Sequence, residues 1–496
     1  MPLGQFVENE KGKKPKRQTD IPDEKHIYPY VDIAAFEVGI IKSWTDGDGC
    51  RLCSEDDFLM VWDGSRSGLV GKGVKGALGS TLVRINFPHI ENDYAFYFLQ
   101  SKYLEINTRA KGSGTPHVDP DLLWNYDFPI PPSNEQHRIV AKIEELFSEL
   151  DKGIESLKTA REQLKVYRRA VLKHAFEGKL TAQWREENKD KLETADQLLA
   201  RIHKEREARY RQQTEEWKTA VKKWEAKGKP DKKPAKPRTP KALHPIADEE
   251  LRELPELPEG WLWEKLGLMT IGVEYGTAAK SAETGNVPVV RMGNIQNAKI
   301  DWTDLVFTSD KSEIARYLLR AGDVLFNRTN SPELVGKTAI YRGERPALFA
   351  GYLIRANHIP AVTNSQYLNL FLNSHIAKRH GNNVKTDGVN QSNINGDKLS
   401  NYPFPYCSLA EQSEAVRILE EKLSIIDQME EDTNQQLRIA EVLRQSILKK
   451  AFSGQLVSQD PNDEPASVLL ERIKAEKAKQ SPKPRRKRKP RKAASA

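Results

Sequence analysis

The chain has 496 residues, of which 30% are charged, and its mean hydropathy is −0.66. This length predicts two to four domains, and the sequence lacks the run of about 18 apolar residues that a membrane helix requires. The first five residues do not begin a secretory signal, and three cysteines are too few for a disulfide framework.

The net charge of +8 is concentrated at the C-terminal end. Residues 481–496 carry eight lysines and arginines and no acid, so residues 1–480 have a net charge of zero. Nucleic-acid binding by the folded part of the chain would therefore depend on where its charges lie. We interpret residues 481–496 as a basic disordered tail, which either adds salt-dependent attraction to phosphates or only keeps the chain in solution.

The N-terminal third of the chain predicts a mixed α/β domain. Residues 1–26 are polar and rich in lysine and proline, and we expect them to be mobile. Between residues 27 and 132, apolar stretches such as 58–62 and 81–85 alternate with glycine and aspartate, which is typical of strands joined by turns. The segment 93–106 has a more helical pattern. We therefore expect the first domain to span residues 27–132.

A long helix is predicted next, within residues 133–180. Its apolar residues alternate in steps of three and four, a spacing that favours a coiled-coil seam. The seam residues are Val140, Ile143, Phe147, Leu150, Ile154, Leu157, Leu164 and Val171. At 1.5 Å per residue, about forty residues make a rod of roughly 60 Å.

The second half of the chain has the same plan. Residues 181–256 form a charged helical segment and a linker rich in proline and lysine. A second mixed α/β domain is predicted over residues 257–406, and a second helical region over residues 407–480. The second helix carries a seam in the same register, at Val416, Leu419, Leu423, Ile426, Ala440 and Ile447.

The two helical regions repeat each other at an offset of 276 residues. The matching segments are 125–129 and 401–405, 135–136 and 411–412, and 175–180 and 451–456. The predicted fold class is therefore α+β: two mixed α/β domains separated by two long helices that form an antiparallel coiled coil, with a pseudo-two-fold internal repeat. The alternative is that each helix packs on its own domain.

The sequence contains no recognisable catalytic constellation. Residues 331–338 are one residue short of a Gly-x-x-x-x-Gly-Lys-Thr phosphate loop, but Pro332 and Glu333 stand where backbone amides should face phosphates. We interpret this segment as a turn between strands. The Cys-x-x-Cys at 50–53 is either half of a zinc site or two ordinary thiols, and the second interpretation is favoured because no nearby histidine pair completes the ligands.

Polar clusters near the predicted loops are the remaining candidates for function. Arg, Asn and Gln suit contacts with base edges, and Lys suits phosphates. In the first domain the candidates are Arg66, Lys72, Lys75, Arg84, Arg109, Lys111 and His117. In the second they are Arg291, Asn294, Asn297, Arg328, Asn330, Lys337, Arg355, Asn357, Lys385, Asn390 and Gln391. A solvated surface position explains any one of them equally well, but the density of Asn and Arg in the second domain favours nucleic acid.

The repeated motifs resemble the specificity subunit of type I restriction–modification systems. The resemblance rests on Phe-Pro-Ile-Pro at 128–131, Glu-Gln at 135–136, Ala-Phe-Glu-Gly-Lys-Leu at 175–180, Leu-Pro-Glu-Gly-Trp at 257–261, and the counterparts at 404–412 and 451–456. It implies two target recognition domains that each read one half of a split double-stranded DNA sequence. It also implies that the helices set the spacer between the half-sites.

The resemblance also implies the partners of the chain. Two modification subunits would dock on the helices and carry the S-adenosylmethionine chemistry, and restriction subunits would join them in the cytoplasm of a prokaryote. This chain would then bind no cofactor or metal and would not itself be an enzyme. The alternatives are a coiled-coil scaffold with two protein-binding modules and a self-contained nuclease.

One feature departs from the family pattern. The first domain has no counterpart of residues 257–261, and it begins near Leu3-Gly4, where the second domain already has Leu266-Gly267. We therefore expect that the first domain lacks an initial strand, unless the chain is circularly rearranged or starts late.

Overall fold

The computed structural model describes residues 1–112, 114–229, 233–237 and 239–480. Its α-helices are α1 (Ile33–Val38), α2 (Asn92–Thr108), α3 (Pro120–Trp124), α4 (Ser133–Phe176), α5 (Ala182–Glu187), α6 (Ala195–Ala226), α7 (Asp248–Glu253), α8 (Lys311–Tyr317), α9 (Ser365–Leu372), α10 (His375–Val384), α11 (Gly396–Ser400), α12 (Leu409–Phe452) and α13 (Ala466–Gln480). The predicted basic tail, 481–496, lies outside the described residues.

The β-strands are short. They are β1 (Glu8–Lys11), β2 (Tyr28–Val31), β3 (Trp44–Thr45), β4 (Leu52–Cys53), β5 (Phe58–Val61), β6 (Val70–Lys72), β7 (Gly76–Leu78), β8 (Leu82–Asn86), β9 (Leu262–Lys265), β10 (Thr270–Tyr275), β11 (Val287–Val290), β12 (Ile295–Gln296), β13 (Lys299–Ile300), β14 (Val306–Thr308), β15 (Val324–Asn327), β16 (Thr329–Asn330), β17 (Thr338–Ile340), β18 (Leu348–Phe349), β19 (Leu353–His358), β20 (Thr386–Asp387), β21 (Ser392–Asn393) and β22 (Pro403–Tyr406).

The chain divides into two compact units. Of the described residues, those within 1–159 and 433–480 form unit 1, and those within 160–432 form unit 2. Helices α4 and α12 each have 44 residues and contribute to both units, and their bounds differ by 276 residues at both ends. The repeat predicted from the sequence is therefore confirmed. Among the described residues, no helix is long and apolar enough to cross a membrane.

The main sheet of unit 1 has the strand order β1-β8-β5-β6, with antiparallel neighbours throughout. Strand β5 is apolar at every position because both of its faces are covered: Phe58 and Met60 enter one hydrophobic cluster, and Leu59 and Val61 enter another. A second sheet has the order β3-β2-β7-β4 and contains a parallel β2–β7 pair.

The main sheet of unit 2 has an equivalent strand order although the domain sequence diverges. Its main sheet has the order β10-β19-β15-β17, and a second sheet, β14-β11-β18, again contains a parallel pair, β11–β18. Strand β15 alternates as β5 does: Val324 and Phe326 enter one cluster and Leu325 enters another. The alternation of strand side chains between two clusters is therefore kept, although the residues differ.

The N-terminal segment is packed, and our expectation of a mobile segment over residues 1–26 is wrong for its first part. Leu3 and Phe6 are buried in the core of unit 1, and β1 pairs with β8. Two buried apolar residues are enough to hold this polar segment in place, because the edge of a sheet supplies partners for its backbone groups. The Leu3 amide donates to the Tyr126 carbonyl at 2.9 Å, as Leu266 donates to Tyr402 at 2.8 Å in unit 2.

The long helices pair in antiparallel fashion within each unit. In unit 1 the Arg444 guanidinium lies 4.4 Å from the centre of the Phe147 ring and pairs with Asp151, whereas Leu448 joins the cluster that contains Ile143. Residue numbers therefore rise along α12 as they fall along α4. In unit 2, Arg168 bridges Asp427 at 2.5 Å and Glu430 at 3.1 Å, while Val171 and Val416 share one cluster.

Every residue of the predicted seam is buried or half-buried. Its buried members are Ile143, Phe147, Val171, Val416, Leu419, Ile426 and Ala440. Its half-buried members are Val140, Leu150, Ile154, Leu157, Leu164, Leu423 and Ile447. Several seam residues also pack on a domain, so helix pairing and the alternative, packing on a domain, occur together.

Four aromatic side chains join the helices to each domain, and we call each set the aromatic joint. In unit 1 the joint contains Tyr94, Phe98, Phe128 and Phe452, and in unit 2 it contains Tyr367, Phe371, Phe404 and Phe176. The Phe98 and Phe128 ring centroids lie 4.9 Å apart, and those of Phe371 and Phe404 lie 5.0 Å apart. Each joint thus includes the last residue of a long helix that began in the other unit.

The Glu-Gln motif at the start of each long helix has a structural role. The Gln136 side-chain oxygen accepts from the amide of Glu91, the residue before α2, at 3.0 Å. The Gln412 side-chain oxygen accepts from Asn364, the residue before α9, at 2.9 Å. Because an unpaired buried amide is costly, each glutamine fixes a domain helix to the start of a long helix.

The Phe-x-Gly stop is a C-terminal helix cap. Gly178 and Gly454 both have φ of 70°, the left-handed conformation that ends helices. The amides of Lys179 and Gln455 donate to the carbonyls of His174 and Lys450, both at 2.9 Å. Only a residue without a β-carbon takes this conformation without strain, which explains why the glycine occurs in both copies.

We predict different costs for alanine at the two caps. Gly454→Ala should destabilise the protein by about 1–2 kcal/mol, the cost of left-handed backbone for an L-residue. Gly178→Ala should cost more, because its Cβ would lie 2.5 Å from Pro258 Cγ, whereas nothing lies within 4 Å at Gly454. Urea unfolding followed by circular dichroism measures the difference. Gly153→Ala, in the middle of α4, is the control and should not destabilise; equal losses at the two caps would contradict this account.

Candidate nucleic-acid interface

Each domain carries a short hairpin at the same place in the repeat. In the second domain β20 pairs with β21, and residues 388–391 form the tip. In the first domain Lys111 and His117 exchange backbone hydrogen bonds of 2.9 and 2.8 Å. His117 precedes Asn393 by the repeat offset, so the two hairpins occupy equivalent places in the repeat, although Lys111 pairs with His117 whereas its counterpart Asp387 pairs with Ser392. We call them the first and second tip hairpins.

The base of each tip hairpin is held firmly by its domain. The Val118 amide donates to the Trp62 carbonyl, and the Ile394 amide donates to the Arg328 carbonyl, each at 2.9 Å. Asp119 and Asn395 then cap the short helices α3 and α11 with their side chains. A loop held on a firm base is the usual way in which a fold presents recognition residues.

The second tip presents a side chain that the domain does not cover. Residues 388–391, Gly-Val-Asn-Gln, are all exposed, and Val389 is 100% exposed. The amides of Asn390 and Gln391 can form paired hydrogen bonds with adenine, and a valine methyl group can contact the thymine methyl group. This tip therefore has the chemistry to read base edges in a groove.

A basic cleft lies in the same domain. A cavity of about 550 Å³ lies between the turn at 332–337 and helix α10, and Lys337, Lys378 and Lys385 line it. Lys385 donates to the Pro332 carbonyl at 3.2 Å, and Lys337 donates to the Gln296 side chain at 3.1 Å. Burial lowers the pKa of Lys378, and the charge of Lys337 lowers it further. Glu333 also lines the cleft, and Lys385 lies 3.8 Å from Asp387, but the three lysines outnumber the acids and favour an anion such as a phosphate.

The Gly-Lys-Thr segment, which resembles a phosphate loop in sequence, borders this cleft. Residues 331–337 form a turn before β17, in which the Leu334 amide donates to the Ser331 carbonyl at 3.0 Å. The interpretation as a turn is therefore confirmed. Lys337 contributes its charge to the cleft.

In the first domain, Lys111 lies at the base of the first tip hairpin. It pairs with Asp119 at 2.9 Å while its side chain remains 54% exposed. The hydrogen bond with Asp119 raises the pKa of Lys111. An exposed ion pair of this kind contributes little stability, so a phosphate can replace the carboxylate at small cost. Arg109 pairs with Glu105 at 3.5 Å, and His117 is half-buried.

Two candidate arginines are engaged in the sheets. Arg355 of β19 pairs with Glu274 and, at 2.9 Å, with Asp323. Arg84 of β8 pairs with Glu10 at 2.8 Å and lies 3.9 Å from Asp57. The register places these two trios at equivalent positions, because Arg355 lies opposite Glu274 and Leu325, as Arg84 lies opposite Glu10 and Leu59. We infer a structural role for both.

Two further candidates support local turns. Asn294 is buried, and its side-chain amide donates to the carbonyls of Asp301 and Thr303. Arg291 pairs with Asp304 at 3.2 Å in the same region. The structure therefore gives both side chains partners within the domain.

The remaining candidates fall into two groups. Near the second tip hairpin, Asn330 lies opposite Ser392 of β21, and the Arg328 guanidinium lies 5.0 Å from the centre of the Tyr275 ring. Away from it, Arg66 pairs with Glu37, Lys72 lies 3.9 Å from Asp93, Lys75 and Asn297 are exposed, and Asn357 is half-buried. The contacts of these residues do not place this second group at the hairpins.

Val389, Lys378 and the correspondence of the two hairpins were not predicted from the sequence. The repeat offset runs back beyond Asn125, through Leu123 and Leu399, Asp121 and Asp397, to Gly112 and Gly388. Following it that far would have identified both tips. Lys378 had no such signal, because its place in the cleft depends on how α10 packs.

The cysteines show no arrangement for a metal. The Cys53 thiol is buried and donates to the Val74 carbonyl at 3.0 Å, and burial raises its pKa to about 11. In the part of the chain that the structure describes, no cluster of three or more His, Cys, Asp or Glu side chains suits a metal ion.

We predict that Arg355→Gln destabilises the protein more than Arg84→Gln. The Arg355 side chain is 12% exposed, so its removal leaves two carboxylates unpaired in a largely buried site, at a cost of roughly 3 kcal/mol. The Arg84 side chain is 31% exposed, and solvent reduces the corresponding loss to about 1 kcal/mol. Thermal unfolding gives both values. Unchanged stability together with weaker DNA binding would show instead that these arginines contact DNA.

Comparison with known proteins agrees with this architecture. A family model, the type I restriction modification DNA specificity domain, matches residues 1–160 and 273–438. A solved chain from a study of complex assembly and conformational transition of the type I R-M system has the same fold, with a TM-score of 0.61 at 18% identity over 92% of this chain and 97% of that chain.

Relatives of known name are specificity subunits. The EcoDI specificity subunit of Escherichia coli is 24% identical over 96% of this chain and 94% of its own length. The EcoKI subunit of Escherichia coli is 25% identical over 75% and 69%. The MjaVIII subunit of Methanocaldococcus jannaschii is 32% identical over 35% of this chain, and this match spans 42% of that relative's length. Because the family model covers more than half of the sequence, the chain belongs to the type I restriction–modification DNA specificity family.

Proposed function

We propose that this chain is the DNA sequence-specificity subunit of a type I restriction–modification complex, in which each domain reads one half of a bipartite double-stranded target. The observation that carries the proposal is the repeat itself. Two domains of one topology each present an equivalent tip hairpin and each lead into a 44-residue helix. A split target requires such an arrangement of two readers joined by a spacer.

The two tips differ as two half-sites would require. The second tip has the sequence Gly-Val-Asn-Gln at 388–391, and the equivalent residues 112–115 are Gly-Ser-Gly-Thr. Amide side chains favour adenine, whereas small hydroxyl side chains accept several bases. The lysines of the basic cleft, together with Lys111, would hold phosphates and so position each hairpin without adding specificity.

The long helices carry a second repeated surface that suits two copies of one partner. Val166 and Tyr167 of α4 are 57% and 50% exposed. Val442 and Leu443 of α12, which follow them by the repeat offset, are 68% and 49% exposed. We call these the paired apolar patches. Exposed apolar groups at equivalent helix positions fit two identical docking sites, and we assign them to two modification subunits.

The catalytic chemistry then belongs to the partners. The modification subunits would bind S-adenosylmethionine and methylate each half-site, and restriction subunits would join the complex in the cytoplasm of a prokaryote. This chain contributes base reading and geometry. The competing scaffold hypothesis predicts DNA binding that is indifferent to sequence even with all partners present. Magnesium-dependent cleavage by the purified chain alone would favour the nuclease hypothesis.

We predict that the second tip hairpin specifies one half-site. In cells with the complete system, methylation mapping should show one split motif that disappears when this chain is deleted. Replacing Val389, Asn390 and Gln391 together with alanine should relax or abolish one half of that motif and leave the other half unchanged. Thr115→Ala in the first tip hairpin is the matched variant and should affect only the other half. A change in both halves from either variant would contradict modular reading.

We predict that the paired apolar patches set the stoichiometry. Aspartate at Val166 and Tyr167, or at Val442 and Leu443, should leave one modification subunit bound instead of two, and both changes together should leave none. Native mass spectrometry of the purified complex counts the subunits. The control is Ile425→Asp, at a residue that is 56% exposed but whose repeat counterpart is Glu149. Retention of two subunits by both patch variants would place the docking surface elsewhere.

A further inference from the structure

Helix α6 continues far beyond its place in the core. Its first turns are buried at Leu198 and Ile202, and α13 buries Leu469 and Ile473 at the corresponding positions, 271 residues later. After Ile202, the helix runs to Ala226 without another buried residue. This distal part is about 36 Å long at 1.5 Å per residue. Burial therefore does not explain its length.

The linker folds back along this exposed helix. The Trp217 indole donates to the Pro234 carbonyl at 3.0 Å, Tyr210 and Thr239 share a hydrogen bond of 3.2 Å, and Arg206 donates to the Lys241 carbonyl at 3.0 Å. The Lys236 ammonium lies 5.9 Å from the centre of the Trp217 ring. The linker therefore runs antiparallel to the helix, because the residue numbers of the helix rise as those of its linker partners fall. We call the described residues of 203–241 the basic arm.

Within residues 1–480, positive charge is concentrated in this arm. Residues 203–241 contain fourteen lysines and arginines and six acids, a net charge of +8. The rest of residues 1–480 therefore carries −8, because their sum is zero. Lys222, Lys223, Lys227 and Lys233 are exposed and lie outside the contacts that hold the linker on the helix. The arm is thus a positive surface attached to an otherwise acidic body.

We propose that the basic arm binds the phosphate backbone of duplex DNA outside the base-reading hairpins, without sequence preference. The proposal rests on the proposed function, because that function brings duplex DNA to this chain. The arm would raise affinity and lengthen residence on DNA while leaving the recognised sequence unchanged. Its contribution would fall steeply with salt, since phosphate contacts release counterions.

The surface of the arm favours DNA over an acidic protein. Protein interfaces have an apolar core in which aromatic residues are enriched. The large hydrophobic residues exposed on the described surface do not include any residue of the arm. Its rings at Tyr210 and Trp217 are instead used to hold the linker. A polyanion that needs only exposed ammonium groups fits this surface.

The experiment compares two fourfold variants in the assembled complex. Lys222, Lys223, Lys227 and Lys233 are replaced by glutamine in one variant and by arginine in the other, which retains the charge. The affinity for a target duplex and for an unrelated duplex of equal length is measured against salt concentration. The glutamine variant should show a shallower slope of log K against log salt, by about 0.9 for each lost phosphate contact. The arginine variant should keep the wild-type slope, and the methylated motif should be the same in all three proteins.

Two outcomes would overturn the proposal. One is a wild-type slope in the glutamine variant while the complex remains intact. The other is an unchanged slope with loss of modification subunits from the complex, which would assign the arm to a protein partner. Failure of the proposed function looks different: no split motif would be methylated by the wild-type complex, while the glutamine variant would still lower the slope on both duplexes.

Discussion

The aromatic joint is the interaction on which the rest of this structure depends. In each unit, two aromatic residues of a domain helix and one from the strand or loop before a long helix enclose the terminal phenylalanine of the other long helix. The tyrosine hydroxyls complete the joint, because Tyr94 donates to the Pro129 carbonyl at 3.1 Å and Tyr367 donates to the Pro405 carbonyl at 3.2 Å. Edge-to-face packing of large rings stabilises through area and geometry together. Neither core is complete without the end of a helix that began in the other half of the chain.

This dependence explains which parts of the sequence repeat. The joint, the glutamine at each helix start and the hydrogen-bonded glycine cap at each helix end occur in both units. The sheets keep one strand order with different residues, since a strand requires alternation more than identity. The tips of the hairpins are not subject to these constraints. Their bases are held by equivalent hydrogen bonds, while Val389, Asn390 and Gln391 differ from the residues of the first tip.

The charged residues likewise divide into those that hold the structure together and those that are available to a polyanion. The ion pairs of Arg84 and Arg355 hold their sheets together, and those of Arg168 and Arg444 hold helix to helix. Within the domains, the basic cleft and the exposed Lys111 offer positive charge to a polyanion, and in the linker region the basic arm does so. A body that is acidic outside the arm would repel DNA at long range, and local positive surfaces would decide where a duplex can approach. Affinity and sequence choice would then come from different elements.

The sequence by itself determined the architecture. The offset of 276 residues, the seam spacing and the strand-like alternation are local or periodic signals, and helices and strands follow such signals because side-chain direction repeats with the backbone. Single residues in a polar tract, such as Leu3 and Phe6, carry no periodic signal, so their burial was not predicted.

Only the tertiary structure decided what the charged residues do. Arg355 and Asn390 are both polar residues in the sequence. In the structure, Arg355 lies between two carboxylates in a sheet, and Asn390 lies at an exposed tip. Lys378 reached the basic cleft through the packing of α10, and the linker became part of an arm through Trp217 and Tyr210. The physical reason is that a charge acts through its distance to other charges and to solvent, and those distances are set by contacts between residues far apart in the chain.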